Sequence, residues 1–318
     1  MYRILAADIG GTNSRFGFFE IERDGKLSLL ATRWLRTREA RSFGHLLEML
    51  RATDFPLAPE SADIAVVAIA GPVLGGVRSS PPFISWTLDF SRAAEEFGFR
   101  RSLLVNDFVA QAYATRSPAA DFAQTILPGS ALAGAAVGVV GAGTGLGQAT
   151  LLPDGNGGYL AVASEGGHAE FPLVGPQEYA LGEFLCEGLG VARLTSTMVV
   201  SGAGLSNIHW YHTGVRLGPE EVTAHLTSES PTLAWAARFS GRVCRIYALQ
   251  TAACGGIFVA GGVAARTPAL LTHPAFAEEF RTSVQMAALL REIPVSLLTD
   301  QESGLWGAAF LGAQVMRK

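Results

Sequence analysis

The chain has few charged residues, and this scarcity excludes a large class of functions. Only 16% of its 318 residues are Asp, Glu, Lys or Arg, and the formal net charge is −4. A protein that binds nucleic acid neutralises the phosphates with a surplus of Lys and Arg. We therefore expect no nucleic-acid partner.

Cysteine is scarce as well. The three thiols, Cys186, Cys244 and Cys254, are odd in number and show no CxxC spacing. This pattern fits neither a disulfide framework nor a structural zinc site. We predict buried thiols in a reducing cytoplasm, and the absence of a recognisable signal peptide at the N-terminus predicts the same location.

One segment lacks charge altogether. Residues 126–153 contain no ionised side chain and are long enough to cross a bilayer. Their many glycines make a poor lone helix and suit strands joined by a turn. We therefore predict no membrane contact.

What the chain has in abundance is apolar residues (49%) and glycine (37 residues), which favour buried sheets joined by tight turns. A length of 318 residues exceeds the usual single domain, so two domains are expected.

The segment Asp8-Ile9-Gly10-Gly11-Thr12-Asn13 lies between two stretches with strand periodicity and predicts a β-hairpin. The backbone N–H groups after its glycines can converge on a phosphate, and Asp8 can hold a hydrated Mg²⁺. A Rossmann or Walker loop would open a helix at this point, so both folds are disfavoured. An ordinary tight hairpin is the alternative interpretation.

Residues 137–151 repeat the same pattern of apolar strand, glycine turn with Thr144, and apolar strand. Two such hairpins predict an internal duplication, with one copy in each domain. Thr12 and Thr144 could then clamp a polyphosphate from both sides of a cleft.

Two further pairs of polar residues stand at places where ligands bind. Asn106 and Asp107 end a predicted strand and open a predicted helix; they can cap that helix or face a ligand at the strand's carboxyl end. Glu165 and His168 flank two glycines, which favours a loop that presents both side chains to a polar ligand. A predicted strand also ends at Gly261-Gly262.

These motifs occur in the order found in the bacterial glucokinase family of the actin, sugar-kinase and Hsp70 fold, and the chain resembles that family over almost its whole length. The matching pieces are Asp8-Ile9-Gly10-Gly11-Thr12-Asn13, Asn106-Asp107-Phe108, Gly141-Ala142-Gly143-Thr144-Gly145-Leu146-Gly147, Glu165-Gly166-Gly167-His168, Ser201-Gly202-Ala203-Gly204-Leu205 and Ala260-Gly261-Gly262. The cysteine-rich zinc motif of related kinases is missing, so the resemblance is to the zinc-free branch.

The resemblance implies an α/β protein with the two-domain actin-like ATPase (ribonuclease H-like) fold, a duplicated core and an interdomain cleft. It implies a small domain of residues 1–115 plus 299–318 and a large domain of residues 116–298. It also implies a small-molecule sugar substrate, ATP and Mg²⁺ as cofactors, and a homodimer in the cytoplasm.

Carried over residue by residue, the resemblance makes Asp107 the catalytic base for the sugar 6-hydroxyl and Asp8 the residue of the Mg²⁺ shell. The implied sugar-binding residues are Asn106, Asp107, Glu165 and His168. The implied ATP-binding residues are Gly10, Gly11, Thr12, Asn13, Gly143, Thr144, Gly145, Gly261 and Gly262.

The sequence departs from the family pattern at two positions. Phe83 stands where the family has a sugar-site Asn, and Thr197 stands where it has a sugar-binding Glu. We expect weaker glucose binding and preference for a hexose altered at C1 or C2, unless Glu187 or another acidic residue supplies the carboxylate from a shifted loop.

The prediction from the whole pattern is an ATP-dependent hexose kinase of the glucokinase type. The alternatives are a kinase for a different or substituted hexose, a non-catalytic sugar sensor of the same fold, and an Hsp70- or actin-like ATPase.

Overall fold

The computed structural model of the chain describes residues 2–22 and 25–317. Its strands are β1 (Tyr2–Ile9), β2 (Asn13–Ile21), β3 (Leu27–Arg36), β4 (Ile64–Ile69), β5 (Val73–Leu74), β6 (Arg78–Ser79), β7 (Leu88–Asp89), β8 (Ser102–Asn106), β9 (Gln124–Leu127), β10 (Val137–Ala142), β11 (Leu146–Pro153), β12 (Tyr159–Ser164), β13 (Ile257–Ala260) and β14 (Val295–Leu297). Its helices are α1 (Phe43–Arg51), α2 (Ala93–Phe97), α3 (Asp107–Ala114), α4 (Gly175–Leu189), α5 (Gly202–Thr213), α6 (Pro219–His225), α7 (Pro231–Thr251), α8 (Gly262–Arg266), α9 (Ala269–Thr272), α10 (Pro274–Arg281), α11 (Ala287–Glu292) and α12 (Ser303–Arg317).

The chain divides into two compact units. Unit 1 comprises Met1–Phe122, Asp154–Ala163 and Asp300–Lys318, and unit 2 comprises Ala123–Pro153 and Ser164–Thr299. These units group residues by contact and differ from the predicted domains at residues 116–122, 154–163 and 299. The predicted domain boundaries stay a prediction.

Unit 1 is built on a sheet in the order β3-β2-β1-β4-β8. The first three strands are antiparallel neighbours, whereas β4 and β8 run parallel to β1. All six residues of β4 are buried, as expected for a central parallel strand whose sequence is a continuous apolar run. Helix α1 covers this sheet with a buried apolar face, and the Ser42 hydroxyl caps it by accepting from the His45 N–H.

Helix α12 returns the chain to unit 1 and packs closely on α3. A Cβ atom at Gly307 would lie 1.7 Å from the carbonyl oxygen of Ala110, so the two helices approach to a distance that only glycine permits. The Ser303 hydroxyl also donates to the side-chain oxygen of Gln111 at 2.9 Å. Helix α3, which begins at Asp107, is therefore held along its length by α12.

Unit 2 contains five strands side by side in the order β11-β10-β13-β14-β9. Here too a hairpin, β10 with β11, is followed by two parallel strands, β13 and β14. The order β11-β10-β13-β14 therefore repeats the order β2-β1-β4-β8 of unit 1, with the same strand directions. The predicted duplicated core is confirmed.

The uncharged run of residues 126–153 covers the end of β9 and the hairpin of β10 and β11, as its glycines predict. Within residues 2–22 and 25–317, no helix has the length and apolar character needed to cross a membrane.

The prediction for the cysteines is correct for Cys244, which is buried and whose thiol pKa is raised to about 12 by burial. Cys186 and Cys254 are only partly buried, which corrects that prediction.

Candidate active site

The first glycine turn, residues 10–13, joins β1 to β2 in unit 1. The Gly10 N–H donates to the carbonyl oxygen of Asn13 at 3.0 Å and closes the turn. Thr37, the residue directly after β3, fixes the turn, since its hydroxyl donates to the Gly10 carbonyl at 2.7 Å and its N–H to the Thr12 carbonyl at 3.0 Å. The side chains of Thr12 and Asn13 are exposed. The turn is thus rigid and presents a hydroxyl and an amide to a ligand.

Asp8 lies just before this turn, near the end of β1. Burial raises the pKa of its carboxyl group, and the charge of Arg15, whose Nη1 lies 3.5 Å away, opposes that rise. Residue 304 at the start of α12 is glycine, and a Cβ there would lie 2.8 Å from Asp8 Oδ2. No cluster of three or more metal-ligating side chains occurs in the described part of the chain. A single carboxylate is a donor set that suits Mg²⁺ when phosphate oxygens and waters complete the shell.

Asn106 and Asp107 lie at the carboxyl end of β8, beside the ends of β1 and β4. The side-chain oxygen of Asn106 caps α3 by accepting from the N–H groups of Phe108 and Val109 at 2.9 and 3.3 Å. Its Nδ2 donates to the carbonyl oxygen of Gly71 at 3.0 Å. The capping role that the sequence left open is therefore present, and one Nδ2 hydrogen remains for a ligand.

Asp107 is the first residue of α3 and is half-buried. Its Oδ1 accepts from the N–H of Phe108 at 3.0 Å, which orients the carboxylate at the helix N-terminus. A carboxylate is favoured there because the positive end of the helix dipole stabilises negative charge.

The loop that carries Phe83 connects these parts of unit 1. A Cβ at Gly11 would lie 2.8 Å from Cβ of Phe83, so the loop rests directly on the first glycine turn. At Gly71, whose φ of +99° requires glycine, a Cβ would lie 2.9 Å from Pro82. Gly71 in turn accepts from Asn106. The first glycine turn, the Phe83 loop and the Asn106 side chain are thus brought together.

The second glycine turn, residues 143–145, joins β10 to β11 in unit 2. The Gly143 N–H donates to the Gly145 carbonyl at 2.8 Å and closes this turn as Gly10 closes the first. Thr144 at its tip is exposed, like Thr12. The two turns are therefore similar in hydrogen bonding and in the hydroxyl that each presents.

Glu165 precedes a 3₁₀ turn, Gly166–His168, and His168 is its last residue; this turn lies next to the second glycine turn. His168 Nε2 lies 3.9 Å from Glu165 Oε2, and both side chains are more than half exposed. A Cβ at Gly166 would lie 2.3 Å from Oε1 of Gln148, and one at Gly167 would lie 2.0 Å from the carbonyl oxygen of Leu146. Gly167 is therefore required for the turn to fit against the backbone of β11, whereas a Cβ at Gly166 would meet the end of the Gln148 side chain.

Gly261 directly follows β13, and Gly262 is the first residue of α8. Gly261 has a φ of +92°, and a Cβ there would lie 2.6 Å from the carbonyl oxygen of Ala142, the last residue of β10. All of the site residues predicted in unit 2 are thus neighbours in sequence or by contact. Sequence reasoning missed Thr37 and Gln148, which carry no motif and act only through contacts distant in sequence.

Comparison with known proteins assigns nearly the whole chain to one family. The family model described as Glucokinase matches residues 5–315. The chain belongs to the glucokinase family. A curated glucokinase of Pseudomonas paraeruginosa is 31% identical over 96% of this chain and 90% of the relative.

Solved structures agree with this assignment. The crystal structure of a glucokinase from an Antarctic psychrotroph is 25% identical and has a TM-score of 0.81, with 100% of both chains covered. A ROK family glucokinase from Streptomyces griseus, solved in complex with glucose and AMPPNP, is 18% identical and has a TM-score of 0.63, covering 97% of this chain and 98% of the other. The predicted fold class is confirmed, and so is the predicted class of enzyme, a kinase of the glucokinase family.

The two departures from the family pattern have distinct surroundings. The side chain of Phe83 is exposed, with 57% of its surface accessible. The hydroxyl of Thr197 accepts from the Leu146 N–H at 3.2 Å, so this side chain contacts the second glycine turn. Glu187, the alternative carboxylate, is exposed near the end of α4.

Proposed function

We propose that this protein is a glucokinase that transfers the γ-phosphoryl group of ATP to the 6-hydroxyl of glucose, with Asp107 as the base. The observation that carries the proposal is the place of Asp107: a half-buried carboxylate at a helix N-terminus, within the unit that also holds the first glycine turn and Asp8. Phosphoryl transfer needs mainly alignment and charge stabilisation, which these groups can provide.

In this mechanism, Asp107 accepts the proton of the glucose 6-hydroxyl as the hydroxyl oxygen attacks the γ-phosphorus of ATP. The bond between the γ-phosphorus and the β,γ-bridging oxygen breaks, and ADP leaves. Asn106 donates its remaining Nδ2 hydrogen to a neighbouring sugar hydroxyl. Glu165 accepts from sugar hydroxyls, and His168, held 3.9 Å from it, adds a ring nitrogen to the same hydrogen-bond network. Polar groups of this kind discriminate among sugars because a wrong sugar leaves them unpaired.

The two glycine turns bind the phosphates of ATP in our proposal. Backbone N–H groups of Gly11, Thr12 and Asn13 and of Thr144 and Gly145 face the phosphate oxygens, and the hydroxyls of Thr12 and Thr144 donate to them. Asp8 would hold Mg²⁺, which when bound neutralises the charge on the β- and γ-phosphates. Gly261 and Gly262 would contact the adenosine. The AMPPNP complex of the Streptomyces griseus protein supports ATP as the donor.

A coupled assay of ADP release with and without glucose tests this function against its rivals. We expect ADP release that depends on glucose. Release that is independent of sugar would instead indicate an ATPase, and sugar binding without turnover would indicate a sensor. Either outcome would contradict the proposal.

The exposed Phe83 favours a second candidate, a kinase for a hexose substituted at C1 or C2. An apolar ring in a sugar site can pack against such a substituent. A panel of hexoses and 2-substituted hexoses, compared by kcat/KM for the wild type and for Phe83→Asn, decides between the two. The second candidate predicts that Phe83→Asn shifts preference towards glucose; a wild type that already strongly prefers glucose would exclude it.

Two further expectations stay predictions, namely assembly as a homodimer and residence in the cytoplasm. Light scattering on the purified protein checks the first, and cell fractionation checks the second.

A further inference from the structure

Three segments of unit 2 contact one another around the second glycine turn. They are the turn itself, residues 143–145, with Leu146 directly after it, the Glu-Gly-Gly-His turn, residues 165–169, and a bridging segment, residues 194–202. Along the chain, the bridging segment lies between α4 and α5. It contains the 3₁₀ turn Ser196–Met198 and ends at Gly202, the first residue of α5.

The bridging segment is internally rigid. The N–H groups of Val199 and Val200 both donate to the Ser196 carbonyl, at 3.2 and 2.8 Å. Val199 is buried, and a Cβ at Gly204 would lie 2.4 Å from its carbonyl carbon, so α5 packs directly on this backbone. A displacement at one end of the segment is therefore transmitted to the other.

One end of the bridging segment is hydrogen-bonded to Ala169, the last residue of the Glu-Gly-Gly-His turn, and to Phe171, which follows the turn. The Ser196 N–H donates to the Ala169 carbonyl at 3.0 Å, and the Phe171 N–H donates to the Leu194 carbonyl at 2.9 Å. Between these bonds, Glu170 and Thr195 form an antiparallel bridge. Residues 194–196 thus follow the position of the turn that carries Glu165 and His168.

The other end holds the second glycine turn at both of its sides. The hydroxyl of Thr197 accepts from the Leu146 N–H at 3.2 Å, and the Gly202 N–H donates to the Gly143 carbonyl at 3.0 Å. Gly145 also faces Thr197, because a Cβ there would lie 3.8 Å from the Thr197 methyl carbon. The first bond comes from a side chain, so substitution can remove it without changing the backbone.

A direct contact closes the arrangement. A Cβ at Gly167 would lie 2.0 Å from the Leu146 carbonyl oxygen, which means that the two turns touch through the residue that Thr197 holds. The backbone of Leu146 therefore contacts both the Glu-Gly-Gly-His turn and the bridging segment.

We propose that Thr197 is a positioning residue that couples sugar binding to nucleotide binding. Sugar that binds Glu165 and His168 fixes residues 165–169, the bridging segment follows, and Thr197 sets the second glycine turn in the geometry that binds phosphate. Thr197 thereby takes up a role between the two ligands in place of direct contact with the sugar. The inference rests on the proposed function, because it needs hexose at one turn and ATP at the other.

Titration calorimetry with AMPPNP, in the absence and presence of saturating glucose, measures this coupling directly. The ratio of the two dissociation constants is the coupling factor, and such factors are typically about 5- to 150-fold. We expect a factor in this range for the wild type. Thr197→Val keeps the shape and loses the acceptor, and should bring the factor to within about twofold of unity. Thr197→Ser keeps the acceptor and should preserve the wild-type factor.

A second variant removes the other bond without touching Thr197. Gly202 is the first residue of α5, a position at which proline is tolerated, and Ser201 before it already has the extended backbone that proline requires. Gly202→Pro replaces the N–H donor by a ring carbon that collides with the Gly143 carbonyl oxygen, which lies only 3.0 Å from the Gly202 nitrogen, so the variant removes the bond and displaces the second glycine turn and should also lower the coupling factor. It keeps the test decisive if Thr197→Val does not fold.

The outcomes separate this inference from the proposed function. A wild type that phosphorylates glucose but binds AMPPNP equally well with and without it contradicts the coupling alone. Equal loss of the factor in Thr197→Ser and Thr197→Val contradicts the role of the hydroxyl. A wild type that binds no glucose contradicts the proposed function and this inference with it.

Discussion

Thr12 and Thr144 occupy corresponding places in the two glycine turns. Each is exposed at the tip of a turn closed by one backbone hydrogen bond. In Thr12→Val and in Thr144→Val, a donor to a charged phosphate oxygen is lost at constant shape, which costs about 1.5–3 kcal/mol. We expect kcat/KM for ATP to fall by roughly 10- to 150-fold in each variant.

Thr227→Val is the matched control, because Thr227 is also exposed in unit 2 but lies in the connection between α6 and α7. It should leave kcat/KM unchanged. If only one of the two turn variants loses activity, the clamp is not duplicated and the other hairpin has a structural role only.

At the scale of elements, the contact of α12 with α3 positions Asp107. In Gly307→Ala the new methyl group meets the backbone carbonyl of Ala110, which cannot move without shifting α3. Such overpacking costs about 1–3 kcal/mol, more than alanine gains as a helix former. We expect a lower melting temperature and a lower kcat, because Asp107 is the first residue of the displaced helix.

Gly312→Ala on the same helix is the control. Its methyl group would meet the side-chain methyl groups of Val66 and Ile4 at 3.1 and 3.2 Å, and these can adjust. Thermal unfolding of both variants provides the comparison. Equal melting temperatures would show that the close approach of α12 to α3 does not constrain the fold.

A buried ionic network links three helices of unit 2. Arg242 on α7 donates to both carboxylate oxygens of Glu178 on α4, at 2.5 and 2.9 Å, and to Glu279 on α10 at 2.9 Å. Burial raises the pKa of Glu279, but the hydrogen bond and charge of Arg242 and the charges of Arg245 and Arg238 outweigh it, and the net pKa lies below its usual value of 4.5. Burial likewise opposes the charge of Arg242, yet its two carboxylate partners raise the pKa overall.

The lowered pKa of Glu279 makes stability depend on pH in a definite direction. The carboxylate stabilises the folded state fully above the unfolded pKa of 4.5, and this contribution is lost as the pH falls through the folded value. Because Arg242 keeps Glu178 as a partner, Glu279→Gln should lower the free energy of unfolding by about 1.5–3 kcal/mol at pH 7, the range for a lost charged hydrogen bond, and by progressively less below pH 4.5. Denaturant unfolding at several pH values measures both effects.

Glu170→Gln provides the control for the ionic network, since Glu170 pairs with Arg193 at 3.0 Å on the surface, where both side chains are more than half exposed. Exposed pairs contribute about 0–1 kcal/mol. A Glu279→Gln variant that loses as little as Glu170→Gln, or whose loss does not shrink in acid, would contradict the assigned role of the network.

At the scale of the whole molecule, local sequence patterns predicted the parts whose partners are close in the chain. The two hairpins follow from alternation and glycine turns, and their repetition predicted the duplicated core. The role of Thr197 could not be predicted, because its partner Leu146 lies 51 residues away and no motif marks the pair. The hydrogen bond from Asn106 to the Gly71 carbonyl, 35 residues away, could not be predicted for the same reason.

The most direct test of the account is transfer to the 6-hydroxyl with Asp107 as the base. ADP release is measured for the wild type and for Asp107→Asn, each with glucose and with 6-deoxyglucose, while glucose binding is followed by calorimetry. We expect turnover only for the wild type with glucose, and a loss of about 10²–10⁴-fold in Asp107→Asn with glucose binding retained, because the amide cannot accept the proton. Near wild-type turnover by Asp107→Asn, or turnover of 6-deoxyglucose, would contradict the account.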